Sequence, residues 1–238
     1  MSDAITASLS RQTGLLKELS VLAGNIANAG TAGFKREASV FTEYVNADLA
    51  PGGVAMGALR GRYAVMEEGA LVETGGTYDL ALTGEGFFGI QRDGEVLLTR
   101  AGRFQTDMEG RLITARGDLV LDEGGGAIEI PQEAAEVVFS PDGTLSADGL
   151  AIAQIGVFDA PQASMKRVGD TLWRPEGGYA PREDAQLRQG FLEQSNVNPV
   201  AEMARLVEAQ RLFEAGQNLI ETEHRRMDAL LRALNELR

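Results

Sequence analysis

A handful of segments in this 238-residue chain carry residue types capable of chemistry. Gly84-Glu85-Gly86-Phe87-Phe88-Gly89 fits the G-x-G-x-x-G string of phosphate-cradling loops and follows a predicted strand through Tyr78, Leu80 and Leu82. A dinucleotide loop needs a helix next, because the helix N-terminus holds the pyrophosphate. Here Ile90 runs into an Arg92-Asp93-Gly94 turn. The string therefore predicts a glycine-bent hairpin with two packed phenylalanines and no cofactor. The acidic pairs Glu67/Glu68, Asp122/Glu123 and Glu183/Asp184 would have to flank one glycosidic bond, with one pKa raised by burial, to act as hydrolase carboxylates. They sit beside glycine or in polar stretches, which predicts solvated surface. Arg116-Gly117-Asp118 matches an adhesion tripeptide, but between two predicted strands it reads as a hairpin turn. With no cysteine and only His224, a multi-histidine or thiolate metal site is excluded, as are disulfides. No catalytic, cofactor-binding or metal residue is expected, and the chain is not read as an enzyme.

The elements that position these segments are set by periodicity. Ile5, Leu9, Gln12, Leu16, Leu19, Ala23 and Ile26 recur at spacings of four and three. So do Met203, Leu206, Gln210, Phe213, Gln217, Ile220, His224, Met227, Leu231 and Leu234 at the other end. Both are seams of the coiled-coil kind, which a lone helix cannot bury. Polar Gln210, Gln217 and His224 suit residues that fix helix register, and His224 also suits a pH sensor. The first helix spans 3–28 and ends at Asn28, Gly30 and Gly33, residues that accept the left-handed conformation. The second begins with Asn198 as N-cap and Pro199 in the first helical position, and runs to about 237.

Between the helices the period changes to two. Turn signals recur at short intervals, and 24 of the 29 glycines lie between 38 and 198. That pattern predicts an all-β domain of hairpins. The fold class is α+β: long N- and C-terminal helices pairing as a coiled-coil-like layer, with an inserted β domain. The expected divisions are the first helix to 34, an extended connector over 35–68, the β domain over 69–185, and a return segment with the second helix over 186–238. Within the connector, Phe41, Tyr44 and Val45 suit a short strand broken by Pro51-Gly52-Gly53.

The net charge of −13 lies in the middle, where residues 38–198 hold 12 basic and 25 acidic side chains. Such a surface repels nucleic acid and anionic lipid. No apolar run approaches the roughly 18 residues of a membrane span. Arg11, Lys17 and Glu18 interrupt the first apolar stretch, so a cleaved secretory signal is not expected.

Three segments resemble the axial proteins of the bacterial flagellum, the rod and hook components. They are "NIANAGTAGFKR" (25–36), "YDLALTGEGFFGI" with "LLTRAGRFQTDMEGRLITARGDLVL" (78–90, 97–121), and "GFLEQSNVNPVAEMARLVEAQRLFEAGQNLI" (190–220). The signature positions are Asn25, Asn28, Thr31, Gly33 and Phe34, then Gly84, Gly86, Phe87 and Phe88, then Ser195, Asn196, Val197 and Asn198. The short chain leaves no room for the large outer domains of hook protein. "NPVAEM" and "QRLFE" look more like a proximal than a distal rod member. The resemblance implies a structural subunit of the basal-body rod, polymerising through its terminal helices into a helical tube that transmits torque. It implies partners in further copies, neighbouring rod proteins and the flagellar export apparatus. The implied location is the rod crossing the periplasm, reached without a cleaved signal peptide.

Overall fold

The computed structural model describes residues 2–46, 54–169, 171–182 and 184–236 and shows an α+β chain in two compact units. Unit 1 comprises residues 1–27, 36–65 and 197–238; unit 2 comprises 28–35 and 66–196.

In unit 1, helix α1 (Ser2–Ala27) packs against helix α2 (Pro199–Glu236) and against an antiparallel hairpin of β1 (Glu37–Asn46) and β2 (Val54–Ala64). The stretch expected as an extended connector therefore contains two long strands. Backbone pairing of Glu37 with Ala64 through Asn46 with Val54 holds them, with one register shift at Val40/Phe41. The weak side-chain alternation hid this, because ladder hydrogen bonds come from the main chain. The expected break at Pro51-Gly52-Gly53 lies outside the described residues.

The two helices run antiparallel. Gln12 lies against Gly216, Glu18 near Arg205 and Glu208, and Asn25 against Glu202, so climbing one helix descends the other. Asn198 caps α2 as its sequence position predicts: its side-chain oxygen accepts the Ala201 N–H at 3.1 Å.

Unit 2 is built of antiparallel strands. Its largest sheet runs in the order Met165–Arg167, Leu172–Pro175, Glu95–Thr99, Phe87–Arg92, Leu119–Val120, Leu112–Thr114, Phe104–Thr106; Val157–Asp159 and Ala180–Pro181 pair off this path. A second sheet holds Val137–Phe139, Thr144–Ala147 and Leu150–Gln154. The unit is closed by its own ends: Leu71–Glu73 pairs with Phe191–Glu193, and Leu80–Thr83 pairs with Gln186–Gln189. The return segment placed after 185 thus contributes two strands here.

Phe88 is fully buried, and its ring meets Phe104 edge-on at 5.2 Å. Leu80, Ile90, Leu112, Val120 and Leu145 pack in the same core. Replacing Phe88 by Ala should lower the stability of unit 2 by about 3–5 kcal/mol. Urea titration followed by fluorescence of Trp173, the chain's one tryptophan and buried in this unit, reads that loss directly.

Candidate assembly interface

Two buried polar nodes hold the signature segments, one in each unit. In unit 2 the centre is Glu193, 1% exposed, at the end of the closing strand Phe191–Glu193. One carboxylate oxygen accepts from Lys35 Nζ at 2.6 Å and from the Gly69 N–H at 3.0 Å. The other accepts from Arg100 Nη1 at 3.2 Å. Lys35 also donates to the Glu67 carbonyl at 2.7 Å and to the Met66 carbonyl at 3.5 Å. Arg100 also donates to the Gly84 carbonyl at 2.6 Å and lies over the Phe87 ring. The Glu193 carbonyl accepts the Gly33 N–H at 2.8 Å. Segments near residues 33–35, 84–100 and 193 are thereby tied to one carboxylate, the same three regions that carry the resemblance. Burial pushes the Lys35 ammonium below the usual lysine range, and the Glu193 charge opposes that shift.

Phe34 is buried beneath the Arg167 guanidinium, which also stacks on Trp173 at 4.4 Å and donates to the Lys35 carbonyl. Gly33 has a φ of +72°, and any Cβ there would collide with the Ala101 backbone. Only glycine fits that approach. Asn28 closes the turn with Thr31, whose N–H reaches the Asn28 carbonyl at 3.0 Å. Asn196 donates to the Glu67 carbonyl at 3.0 Å, and Ser195 lies partly buried beside it in sequence.

In unit 1 the centre is Asn25, 1% exposed. Its amide brackets the Glu37 backbone, donating to the carbonyl at 2.8 Å and accepting the N–H at 2.9 Å. It also donates to buried Glu202 at 2.9 Å. The other Glu202 oxygen meets Arg36 at 3.5 Å and Arg205 at 3.3 Å. This node fixes α1, β1 and the start of α2 to one another. Further along the pair, burial and nearby Glu208 push the Glu18 carboxyl up. Val197, just before α2, is buried.

The seam residues divide. Among the described side chains of α2, the fully or partly buried positions are Glu202, Leu206, Ala209, Phe213, Gly216, Ile220 and Glu223, spaced by four and three. Leu206, Phe213 and Ile220 belong to the expected seam. Met203, Gln210, Gln217, His224 and Met227 stay exposed, each of the first four one residue beyond a covered position. On α1, Leu19 and Ile26 are partly buried, whereas Leu9 and Leu16 are 51% and 53% exposed. The side chains of Ile5, Leu231 and Leu234 lie outside the described residues. Ala209 and Gly216 let the helices approach closely, and residues this small leave no hydrophobic signal in the sequence. Lys35, Arg100, Glu193 and Glu202 were missed for another reason: a charged side chain reads as surface unless its partner is known. Glu193 follows Phe191-Leu192, and that apolar setting was the available clue.

The other candidate segments do local work. Strand Phe87–Arg92, not a helix, follows the Gly84–Gly86 bend, where Gly86 has a φ of +112°. Asp118 of the Arg-Gly-Asp turn is buried, gripped by Arg92 through two bonds of 2.7 Å and by Thr114. The Arg92 bond holds its carboxyl below the usual range. Glu68 accepts the Gly84 N–H, Asp122 accepts the Gly126 N–H at 2.7 Å, Asp184 pairs with Arg182 at 2.8 Å, and Glu123 is exposed; Glu183 lies outside the described residues.

Two helices drawn from opposite ends of the chain, and a hairpin-rich β unit, each with its own buried polar node, fit the architecture that the resemblance to flagellar axial proteins implies. Comparison with known proteins agrees. Residues 81–147 match the flagellar hook protein FlgE/F/G D1 domain, and 188–233 match the flagellar basal body rod FlgEFG protein C-terminal region. The chain is 39% identical to the flagellar basal-body rod protein FlgF of Caulobacter vibrioides, over 90% of its own length and 91% of that protein's. It is 33% identical to FlgF of Rhizobium meliloti over 98% of both, and 31% identical to FlgG of Bacillus subtilis over 93% of both. The chain belongs to the flagellar basal-body rod protein family, as a structural rod subunit.

Substituting Glu193 by Ala leaves Lys35 and Arg100 buried without their carboxylate, and should cost unit 2 about 3–5 kcal/mol. The readout is again Trp173 fluorescence in urea. Asp118 gives a pH test. Its folded-state pKa lies below the ordinary 3.8, so its stabilisation is present above that value and is lost as pH falls through the folded pKa. Asp118→Asn should be less stable at neutral pH and show a shallower loss of stability between pH 4 and 2.

Proposed function

We propose that the chain polymerises through its terminal helices, pairing as a coiled-coil-like inner layer, into the helical tube of the proximal rod. The observation that carries this is the apolar surface left on the helix pair. Leu9 and Leu16 on α1, and Met203 and Val207 on α2, are each about half exposed, although both helices already pack on each other. Completing their burial contributes roughly 1 kcal/mol per side chain, repeated at every contact of a growing polymer. A head-to-tail contact that does not close into a ring extends as a helix, which is the geometry a tube requires. The role is mechanical, transmitting torque, and involves no catalysis.

The proximal assignment rests on the FlgF relatives and on the Phe213 and "NPVAEM" segments that suggested it. On the family reading, the subunit passes through the flagellar export apparatus and takes its place among neighbouring rod proteins across the periplasm. The terminal helices then order fully as they dock, since an exposed apolar stripe on a free subunit favours aggregation. Among the described residues no helix is long and apolar enough to cross a membrane.

Leu16→Asp tests the proposal cleanly because Leu16 is exposed within the chain. The substitution should abolish rod assembly and swimming in a host lacking its own copy, while the Trp173 unfolding curve stays unchanged. Normal swimming by that strain would sink the idea that this surface is the seam. Phe213→Asp should also block assembly, acting through the α1–α2 contact itself.

A further inference from the structure

The chain passes between its two units four times, at 27/28, 35/36, 65/66 and 196/197. On the unit 2 side each passage is tied to the Glu193 node, and on the unit 1 side to the Asn25 node. At 35/36 the two anchors are consecutive residues: Lys35 donates to Glu193 at 2.6 Å, and Arg36 pairs with Glu202 at 3.5 Å. At 65/66 the Val65 N–H donates to the Arg36 carbonyl at 2.8 Å, while the Met66 and Glu67 carbonyls accept from Lys35. At 196/197 the Asn196 side chain donates to the Glu67 carbonyl at 3.0 Å, and Glu202 follows in the first turn of α2. At 27/28 Asn25 lies in the last turn of α1, and the chain then reaches Gly33, whose N–H donates to the Glu193 carbonyl at 2.8 Å.

We propose that the two nodes make the folding of the units interdependent, so that loosening the helix pair weakens unit 2 and the reverse. Consecutive Cα atoms are fixed about 3.8 Å apart, so a displacement of Arg36 is passed directly to Lys35. A buried ion pair tolerates such a displacement poorly, because its attraction offsets desolvation only in good geometry. An apolar contact at the same place would slide at little cost. Lys35 and Glu193 are each 1% exposed, and Glu202 is 2% exposed, so water cannot take over a lost partner without opening the node. Coupling of this kind is a free energy shared by both units, and it acts equally in the two directions. It belongs to the free chain and holds whether or not the helices polymerise. Within the proposed rod it has a consequence: neighbours that order α1 and α2 also tighten the β unit.

Asn25→Ala in the full-length chain is the direct test, since Asn25 and its partners Glu37 and Glu202 all belong to unit 1. Trp173 belongs to unit 2 and reports that unit's unfolding. Coupling predicts that N25A raises the unfolding constant read by Trp173 about tenfold. Lys35→Met removes the anchor next to Arg36 but leaves Glu193 its bond to Arg100, so the node keeps one ion pair. In that background the N25A effect should fall to roughly half or less, because the path between the units is already cut. Leu145→Ala, in the apolar core of unit 2, leaves the node intact and should leave the N25A effect at full size. A Trp173 curve unchanged by N25A, or an N25A effect equal in the K35M and L145A backgrounds, would overturn the proposal. Both are read on the free chain in urea, so neither result bears on the rod reading, which swimming tests separately.

Discussion

Three of the stretches in unit 2 that resemble the rod family, around Gly33–Lys35, Gly84–Arg100 and Glu193, meet at the buried carboxylate of Glu193. A single negative charge there faces two cations, Lys35 and Arg100, all three nearly inaccessible to water. Desolvating three charges is expensive, and their mutual attraction repays it only if every remaining donor finds an acceptor. The backbone supplies much of what remains, through the carbonyls of Glu67 and Gly84 and the N–H of Gly69, and leaves Arg100 Nε buried without an acceptor among the described residues. Those backbone groups belong to the loops that must be held still. The cluster is therefore a positional constraint more than a source of stability. It specifies where the segment after α1 and the segment before α2 lie within the β unit.

Unit 1 solves the same problem with an amide. Asn25 mimics a strand neighbour for Glu37 and spends its remaining donor on Glu202. Beyond that node the helix pair relies on small residues. Ala209 and Gly216 occupy the contact line between Leu206, Phe213 and Ile220, which brings the helix axes close and turns the next residues outward. The outward set, Met203 and Gln210 among them, is then free for a neighbour. The seven-residue beat thus has an internal line and, displaced by a single residue, an exposed one that the proposed assembly would use.

Much of this was legible in the chain. Both helices, the Asn198 cap, the glycine-marked hairpins and the absence of a phosphate-binding helix after Gly86 follow from local rules of backbone geometry and periodicity. Asn25, Gly33 and Phe34 were marked by resemblance, and the structure supplies the physical reason at each position. The β1–β2 hairpin was not legible, since its ladder is made by main-chain groups that every sequence carries. Nor was the face of α2 that turns inward, because Ala209 and Gly216 matter for what they lack.

The sequence by itself determined which segments are helical and that the stretch between them is built of short strands and glycine-marked turns. These depend on residues near one another in the chain, whose spacing can be counted. Only the tertiary structure decided that Lys35, Arg100 and Glu193 form one charge cluster, and that Glu202 closes onto Asn25 across 177 positions. Burial and pairing of a charge depend on partners brought together by folding. A lysine in a polar string carries no local sign of whether its partner is water or a distant carboxylate.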